Sequence, residues 1–207
     1  AEVYITAYQS LFYIGNLKAN DNVLIHAGAS GVGTAAIQLA KTIGATVTVT
    51  VSNSEKEKAC RALGADHVVN YNQRDFVEFK KQQTPKGYNV ILDVVGGDNV
   101  NKNINACALD GRIIILAMLG GRFCEKLDVA KMLLKRVNIH ASTLRNRTDS
   151  YKTELFSSFI SDFYNDLESN KIKPVIDTVV DWQDADRVHQ LMSQNKNIGK
   201  YVLKVGH

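Results

Sequence analysis

What is scarce in this sequence narrows its class first. Cysteine occurs only three times, at Cys60, Cys107 and Cys124. The three are widely spaced, odd in number and form no C-x-x-C pair, so neither a disulfide framework nor a zinc knuckle is implied. A reducing, intracellular compartment, the cytoplasm in the simplest case, is the expectation. No apolar run approaches the length of a membrane span, so a membrane partner is not expected. Charge of one sign is also in short supply: 25 basic against 21 acidic side chains leave a formal +4. The basic groups, such as Lys80-Lys81 and Lys135-Arg136, are scattered, which argues against a nucleic-acid partner. The five histidines make no cluster with cysteine, and no metal site is expected. His26 and His140 sit in apolar strands and His67 opens one, so all three read as structural. Finally, the chain opens on Ala1-Glu2-Val3-Tyr4, with neither methionine nor a basic-then-apolar leader. A signal peptide is not expected, and the natural start is expected to lie upstream.

What is present is an alternation of strands and helices. Val3, Ala7, Leu11 and Ile14 mark a helix face, closed by Gly15-Asn16. Val23 to Ala27 is a short apolar strand, followed at once by a glycine-rich turn. Val32, Ala35, Ala36, Leu39, Ala40 and Ile43 then mark a helix ended by Gly44. Thr46 to Val51 is an unbroken β-branched strand. Ser54 is a candidate N-cap for a helix through Leu63. Further strands are expected at His67–Val69, Val90–Val95, Arg112–Ala117 and Val137–Ala141. Helices are expected at Phe76–Gln82, Asn99–Ala108 and Leu127–Lys135. This is the pattern of a parallel α/β sheet with helices on both faces. Six strands with a glycine turn after the first give a doubly wound, six-stranded Rossmann sheet. After a helix over Tyr151–Ser169, the alternation lapses. Val175–Val180 and Tyr201–Val205 read as two strands around a helix at Ala185–Met192, and look like pieces of a second sheet. The domain reading is therefore residues 1–15 as a linking helix, 16–170 as a dinucleotide-binding domain, and 171–207 as a return segment of a substrate domain otherwise absent.

The turn reads Gly28-Ala29-Ser30-Gly31-Val32-Gly33. A diphosphate needs such a turn: a tight bend, close backbone approach, and helix N-terminal N–H groups aimed at negative charge. The match to G-x-G-x-x-G is imperfect, because Ser30 occupies the second glycine position. A structural Gly-rich turn is the alternative. A hydrolase elbow, G-x-S-x-G, is not formed, since Val32 stands where its last glycine belongs. Ser30 is read as a phosphate hydrogen-bond donor. At the end of the second strand, an NAD site usually presents an acid to the ribose. Here the stretch is Val51-Ser52-Asn53-Ser54, with no carboxylate until Glu55. Small polar groups beside Lys56 leave room for a 2′-phosphate and offer it a cation, although a solvated lysine at a helix start is the other reading. Tyr71 could border the same phosphate, or be a half-buried strand-end tyrosine.

The stretch Val23 to Leu39, together with Leu63-Gly64-Ala65, Asn70-Tyr71, Ile91 to Gly97, Ala108 to Arg112, Leu144 to Arg147 and Asn195 to Lys200, resembles the zeta-crystallin-like quinone oxidoreductases. These are zinc-free members of the medium-chain dehydrogenase/reductase superfamily. The branch induced by a tumour-suppressor pathway in animals is the most similar. The resemblance covers essentially the whole chain. It implies NADPH as cofactor and hydride transfer to a quinone or similar reactive carbonyl. By position it implies cofactor contacts at Thr6, at Ser30, Gly31, Val32 and Gly33, and at the NADPH-selecting Ser52, Lys56 and Tyr71. It implies further contacts at Val95, Gly96, Met118, Leu119 and Gly120, then at Ser142 to Leu144, and at Asn197, Gly199 and Lys200. Asn53 and Glu55 depart from the family pattern. Zinc-dependent cousins carry a metal-binding cysteine where this chain has Glu2.

The resemblance also implies that the two late strands belong to a chaperonin-10-like substrate domain, whose substrate-contacting groups lie outside the chain. No catalytic residue is therefore named, and turnover by this chain alone is expected to be weak or nil. Relatives dimerise through sheet edges, so a homodimer through residues 137–144 is expected. An enoyl or alkenal reductase with the same cofactor, and a non-catalytic NADPH-binding protein, remain as alternatives.

Overall fold

The computed structural model describes residues 2–206. It opens with helix α1 (Glu2–Tyr8), which widens into a π-helical turn over Gln9–Ile14. The i, i+4, i+7 spacing turns Tyr4, Tyr8 and Leu11 inward, and all three are buried.

Then come β1 (Asn22–Ile25), α2 (Gly31–Thr42), β2 (Thr46–Val51), α3 (Ser54–Ala62), β3 (His67–Asn70) and α4 (Phe76–Gln83). They are followed by β4 (Tyr88–Asp93), α5 (Asn99–Ala106), β5 (Cys107–Ile115), α6 (Val129–Lys135), β6 (Asn138–Ala141) and α7 (Asp149–Glu168). The six strands form one sheet in the order β3-β2-β1-β4-β5-β6, and every pairing is parallel. This is the doubly wound dinucleotide-fold order, with its reversal point between β1 and β4. Val23, Leu24 and Ile25 are fully buried, because a parallel strand at the middle of such a sheet is covered on both faces. One face packs against α1, α2, α3 and α7, through residues such as Ile37, Cys60, Leu155 and Phe159. The other packs against α4, α5 and α6, through Phe76, Ile104 and Met132.

Several boundaries differ from the sequence expectation. The N-cap of α3 is Asn53, whose side chain accepts from Lys56 N–H, and Ser54 is the first helical residue. β5 begins at Cys107, so this thiol opens a strand instead of sitting on a helix. Its pairing with β4 is broken by a bulge: Tyr88 faces Cys107, and the next partner of Val90 is Arg112. Asp110 takes the left-handed conformation (φ 59°) inside that bulge, and the turn-like Asp110-Gly111 pair hid the strand's start.

The tail carries a second, smaller sheet. β7 (Ile176–Asp181) and β8 (Lys200–Lys204) pair in parallel as a two-stranded sheet, joined through a short 3₁₀ turn and helix α8 (Ala185–Ser193). Among the described residues, no helix is long and apolar enough to cross a membrane.

Candidate functional site

The glycine turn lies at the carboxyl end of β1, on the reversal point of the sheet. Ala27 is held in the left-handed region (φ 52°), a conformation that costs an ordinary residue roughly 1–2 kcal/mol. Gly28 packs against β2: a Cβ there would fall 2.7 Å from the Cβ of Val49. Gly33 packs even closer, since a Cβ would meet the carbonyl oxygens of Ala27 and Gly28 at 2.4 and 2.6 Å. These are backbone atoms with no freedom to yield. Ser30 caps α2, its Oγ accepting from Gly33 N–H at 3.0 Å. Its hydroxyl hydrogen remains to be donated, as the sequence reading requires. Among the described residues, the N–H of Val32 has no protein acceptor, as expected for the first turn of a helix, while the N–H of Gly31 faces Gly199 O in the Ser30–Gly199 bridge. The turn thus offers the Val32 N–H, the Ser30 hydroxyl and a helix N-terminus at a surface whose close packing at Gly28 and Gly33 requires glycine, which fits a diphosphate.

The C-terminal segment closes against this turn. Gly199 N–H donates to Ala29 O at 2.8 Å, and Gly199 bridges Ser30. The Lys200 stem covers Gly31, where a Cβ would meet Lys200 Cε at 2.5 Å. Asn197 Nδ2 donates to Gly199 O. A cavity of about 300 Å³ runs beside this contact, lined by Tyr4, Gly31, Thr34, Ile176 and Lys200 among others.

At the end of β2, Lys56 is only 6% exposed. Its ammonium donates to both the backbone carbonyl and the side-chain oxygen of Asn195, at 2.6 and 2.7 Å. Burial pushes its pKa down. Among the described residues, it has no carboxylate partner. Glu57, one residue on, is taken by Arg61 at 2.9 Å. Both of its acceptors are neutral oxygens, so its charge is not matched by a carboxylate. Two of its three hydrogens are committed, leaving one for such a group. Ser52 is half-buried beside it, and Asn72 Nδ2 donates to Ser52 O at 2.8 Å, tying the ends of β2 and β3 together. Tyr71 stands half exposed at the end of β3.

The remaining expected contacts form a second group, past the ends of β4 and β5. Val95 and Gly96 receive their position from Asp93, whose Oδ1 accepts both N–H groups at 2.7 and 3.1 Å. Gly120 N–H donates to Val95 O at 2.7 Å, and Gly96 bridges Gly121. Met118 and Leu119 point to solvent, 65% and 80% exposed. Ser142 is buried after β6, its Oγ donating to Gln9 Oε1. It borders a cavity of about 400 Å³, lined by Ala141, Ser142, Thr143, Asn146 and Arg147. Leu144 instead packs against the main core. Thr6 is half-buried on α1, and its carbonyl accepts from Ser10 Oγ.

The sequence reading missed Asn195 and the buried group formed by His26, Asn103 and Asp93. Asn195 ends α8 in the left-handed conformation (φ 54°), a position where Asn is common, so its helix-end role masked its contact with Lys56. Asp93 gave a signal, an acid closing a run of buried apolar residues. Cys60 and Cys107 are core thiols whose pKa values burial pushes up to about 12. Among the described residues, no group of three or more His, Cys, Asp or Glu could hold a metal.

The family described as "Zinc-binding dehydrogenase" matches residues 31–161. The synaptic vesicle membrane protein VAT-1 homolog of Danio rerio is 32% identical over 97% of this chain and 44% of its own length. The quinone oxidoreductase of Homo sapiens is 26% identical over 97% of this chain and 59% of its own. Among solved structures, an NAD-dependent alcohol dehydrogenase superposes with a TM-score of 0.84 and 31% identity, covering 99% of this chain and 57% of that one. A mycobacterial protein solved with NADPH superposes with a TM-score of 0.84 and 26% identity, covering 97% and 61%. The chain thus spans about half the length of the curated relatives it matches.

Proposed function

Because the chain belongs to the quinone-oxidoreductase-like family of medium-chain dehydrogenases/reductases, we propose that it is the NADPH-binding domain of a cytoplasmic reductase acting on quinones or similar reactive carbonyls. When bound, NADPH supplies the hydride. The protein's own part is to hold and orient it. The Val32 N–H and the Ser30 hydroxyl would receive the diphosphate, with Gly31 and Gly33 leaving room for its approach. Lys56, with Ser52 and Tyr71 beside it, would receive the 2′-phosphate. Val95, Gly96, Met118 to Gly120 and Ser142 would border the nicotinamide end, and Asn197 to Lys200 would close over the turn. Residues 171–206, including β7 and β8, would join a substrate domain supplied by further chain. A homodimer would form along the β6 edge.

The observation that carries this reading is the buried Lys56 ammonium, without a carboxylate partner, at a strand end that lacks the ribose-binding acid. The NAD-dependent structural relative favours the second reading, NADH as cofactor. Calorimetry with both nucleotides decides. NADPH binding tenfold or more tighter than NADH, roughly what a charge-assisted contact is worth, would support the proposal. Equal affinities would remove Lys56 from the selectivity role. For the acceptor, the chain alone is expected to reduce quinones poorly, and brisk turnover by it would contradict the assignment of substrate contacts to another domain.

A further inference from the structure

A chain of buried hydrogen bonds crosses the sheet's reversal point and joins the two loops assigned to the cofactor. His26, Thr50, Asp93 and Asn103 are all 3% exposed or less. The direction of every bond is fixed by what each group can do. All three protein partners of Asp93 are N–H donors: Val95 and Gly96 on Oδ1, and Asn103 Nδ2 on Oδ2 at 2.8 Å. With its amide nitrogen turned to Asp93, Asn103 presents Oδ1 to His26 Nε2 at 2.8 Å. That oxygen can only accept, so His26 carries its proton on Nε2. In the neutral ring, Nδ1 then accepts from the Thr50 hydroxyl at 3.1 Å. Burial, acting against the pull of Asp93, lowers the His26 pKa and keeps the ring neutral. The Thr50 oxygen in turn accepts from the N–H of Ala27, the residue that leads into the glycine turn, at 3.3 Å.

We infer that Asp93 is a positioning residue for the nicotinamide-side loop, held in place through Asn103 and His26 from the strand end that carries the glycine turn. Gly96 and Gly97 both take positive φ, 66° and 54°, so the chain folds back immediately after β4. The Asp93 carboxylate is the acceptor that closes this fold-back, in the manner of an Asx turn. Because Val95 O and Val94 O accept from Gly120 and Leu119 N–H, fixing the first loop fixes the second. The adenosine end, at Ser52 and Lys56, receives none of these bonds. The inference rests on the reading of the crevice as a nicotinamide-cofactor site, and it adds that the two ends of the crevice are held by separate devices.

The test is calorimetry of wild type, Asp93→Asn and Asn103→Ala with NADPH and with 2′,5′-ADP, which lacks the nicotinamide half. An amide at 93 cannot accept from all three N–H groups, which leaves a buried donor unpaired. Asp93→Asn is expected to weaken NADPH by about tenfold or more, while 2′,5′-ADP binds within about twofold. Asn103→Ala, which keeps the carboxylate, is expected to show the same split at a smaller size. Wild-type His26 is expected to give ¹⁵N shifts of the Nε2–H tautomer, a readout that stands even where a variant does not fold. Equal weakening of both ligands, no weakening of either, or an Nδ1–H His26 would each overturn the inference and leave the cofactor reading intact. Wild type that binds neither ligand would overturn the cofactor reading, and this inference with it.

Discussion

β1 and β8 are strands of similar apolar content with opposite fates. Val23, Leu24 and Ile25 of β1 are fully buried, whereas Val202 and Leu203 of β8 are 38% and 40% exposed. In β7, Ile176 and Val179 are 50% and 57% exposed, and Trp182 just beyond is 52% exposed. The difference lies in what flanks the strands. β1 has a hydrogen-bonded neighbour on each side and helices above and below. Among the described residues, the β7–β8 pair has no further strand beside it and much of its apolar surface is exposed, which two-stranded sheets tolerate poorly. Strand-forming residues therefore specify extended backbone, and burial comes from the company the strand keeps.

The contrast can be broken at several points. The largest effect is expected from Gly33→Val at the mouth of β1. Its side chain meets backbone oxygens, so NADPH binding should vanish in a calorimetric titration, and overpacking should cost about 1–3 kcal/mol or more. Next, Leu24→Ala should cost about 2–5 kcal/mol in urea unfolding. Leu203→Ala should lie within about 0.5 kcal/mol of wild type, as for exposed sites. A large loss at Leu203 would mean that β8 is already packed in solution. A smaller effect concerns pH. A histidine whose folded pKa is depressed binds its proton in the unfolded chain first, so its contribution is complete above the unfolded value, near 6.5, and is lost as pH falls. From about pH 6.5 to 5, before most carboxylates protonate, stability should fall at up to about 1.4 kcal/mol per pH unit. His26→Gln should flatten that slope. An unchanged slope would assign it to another group.

Most of the sheet was legible because its strands are short apolar runs between turn residues. Thr46 to Val51 was bounded to the residue. The glycine turn was legible because diphosphate binding and strand–helix packing both demand residues without a Cβ. Other features were hidden where local and distant signals compete. Ser54 and Asn53 are both good caps, and only the fold selects Asn53. The Asp110-Gly111 bulge reads as a turn. Lys56 reads as a cation for a 2′-phosphate, but its burial is hidden, because its partner Asn195 lies 139 residues away. His26 likewise lies 77 residues from Asn103, and the β1–β4 pairing brings it to the Asp93–Asn103 pair.

In the proposed function, the crevice over β1 and β2 selects a phosphorylated dinucleotide through Lys56. Titrating wild type and Lys56→Met with NADPH and NADH measures it directly. The methionine variant is expected to lose about ten- to a hundredfold in NADPH affinity, to keep its NADH affinity, and so to stop distinguishing the two. An NADPH affinity unchanged by Lys56→Met would contradict it.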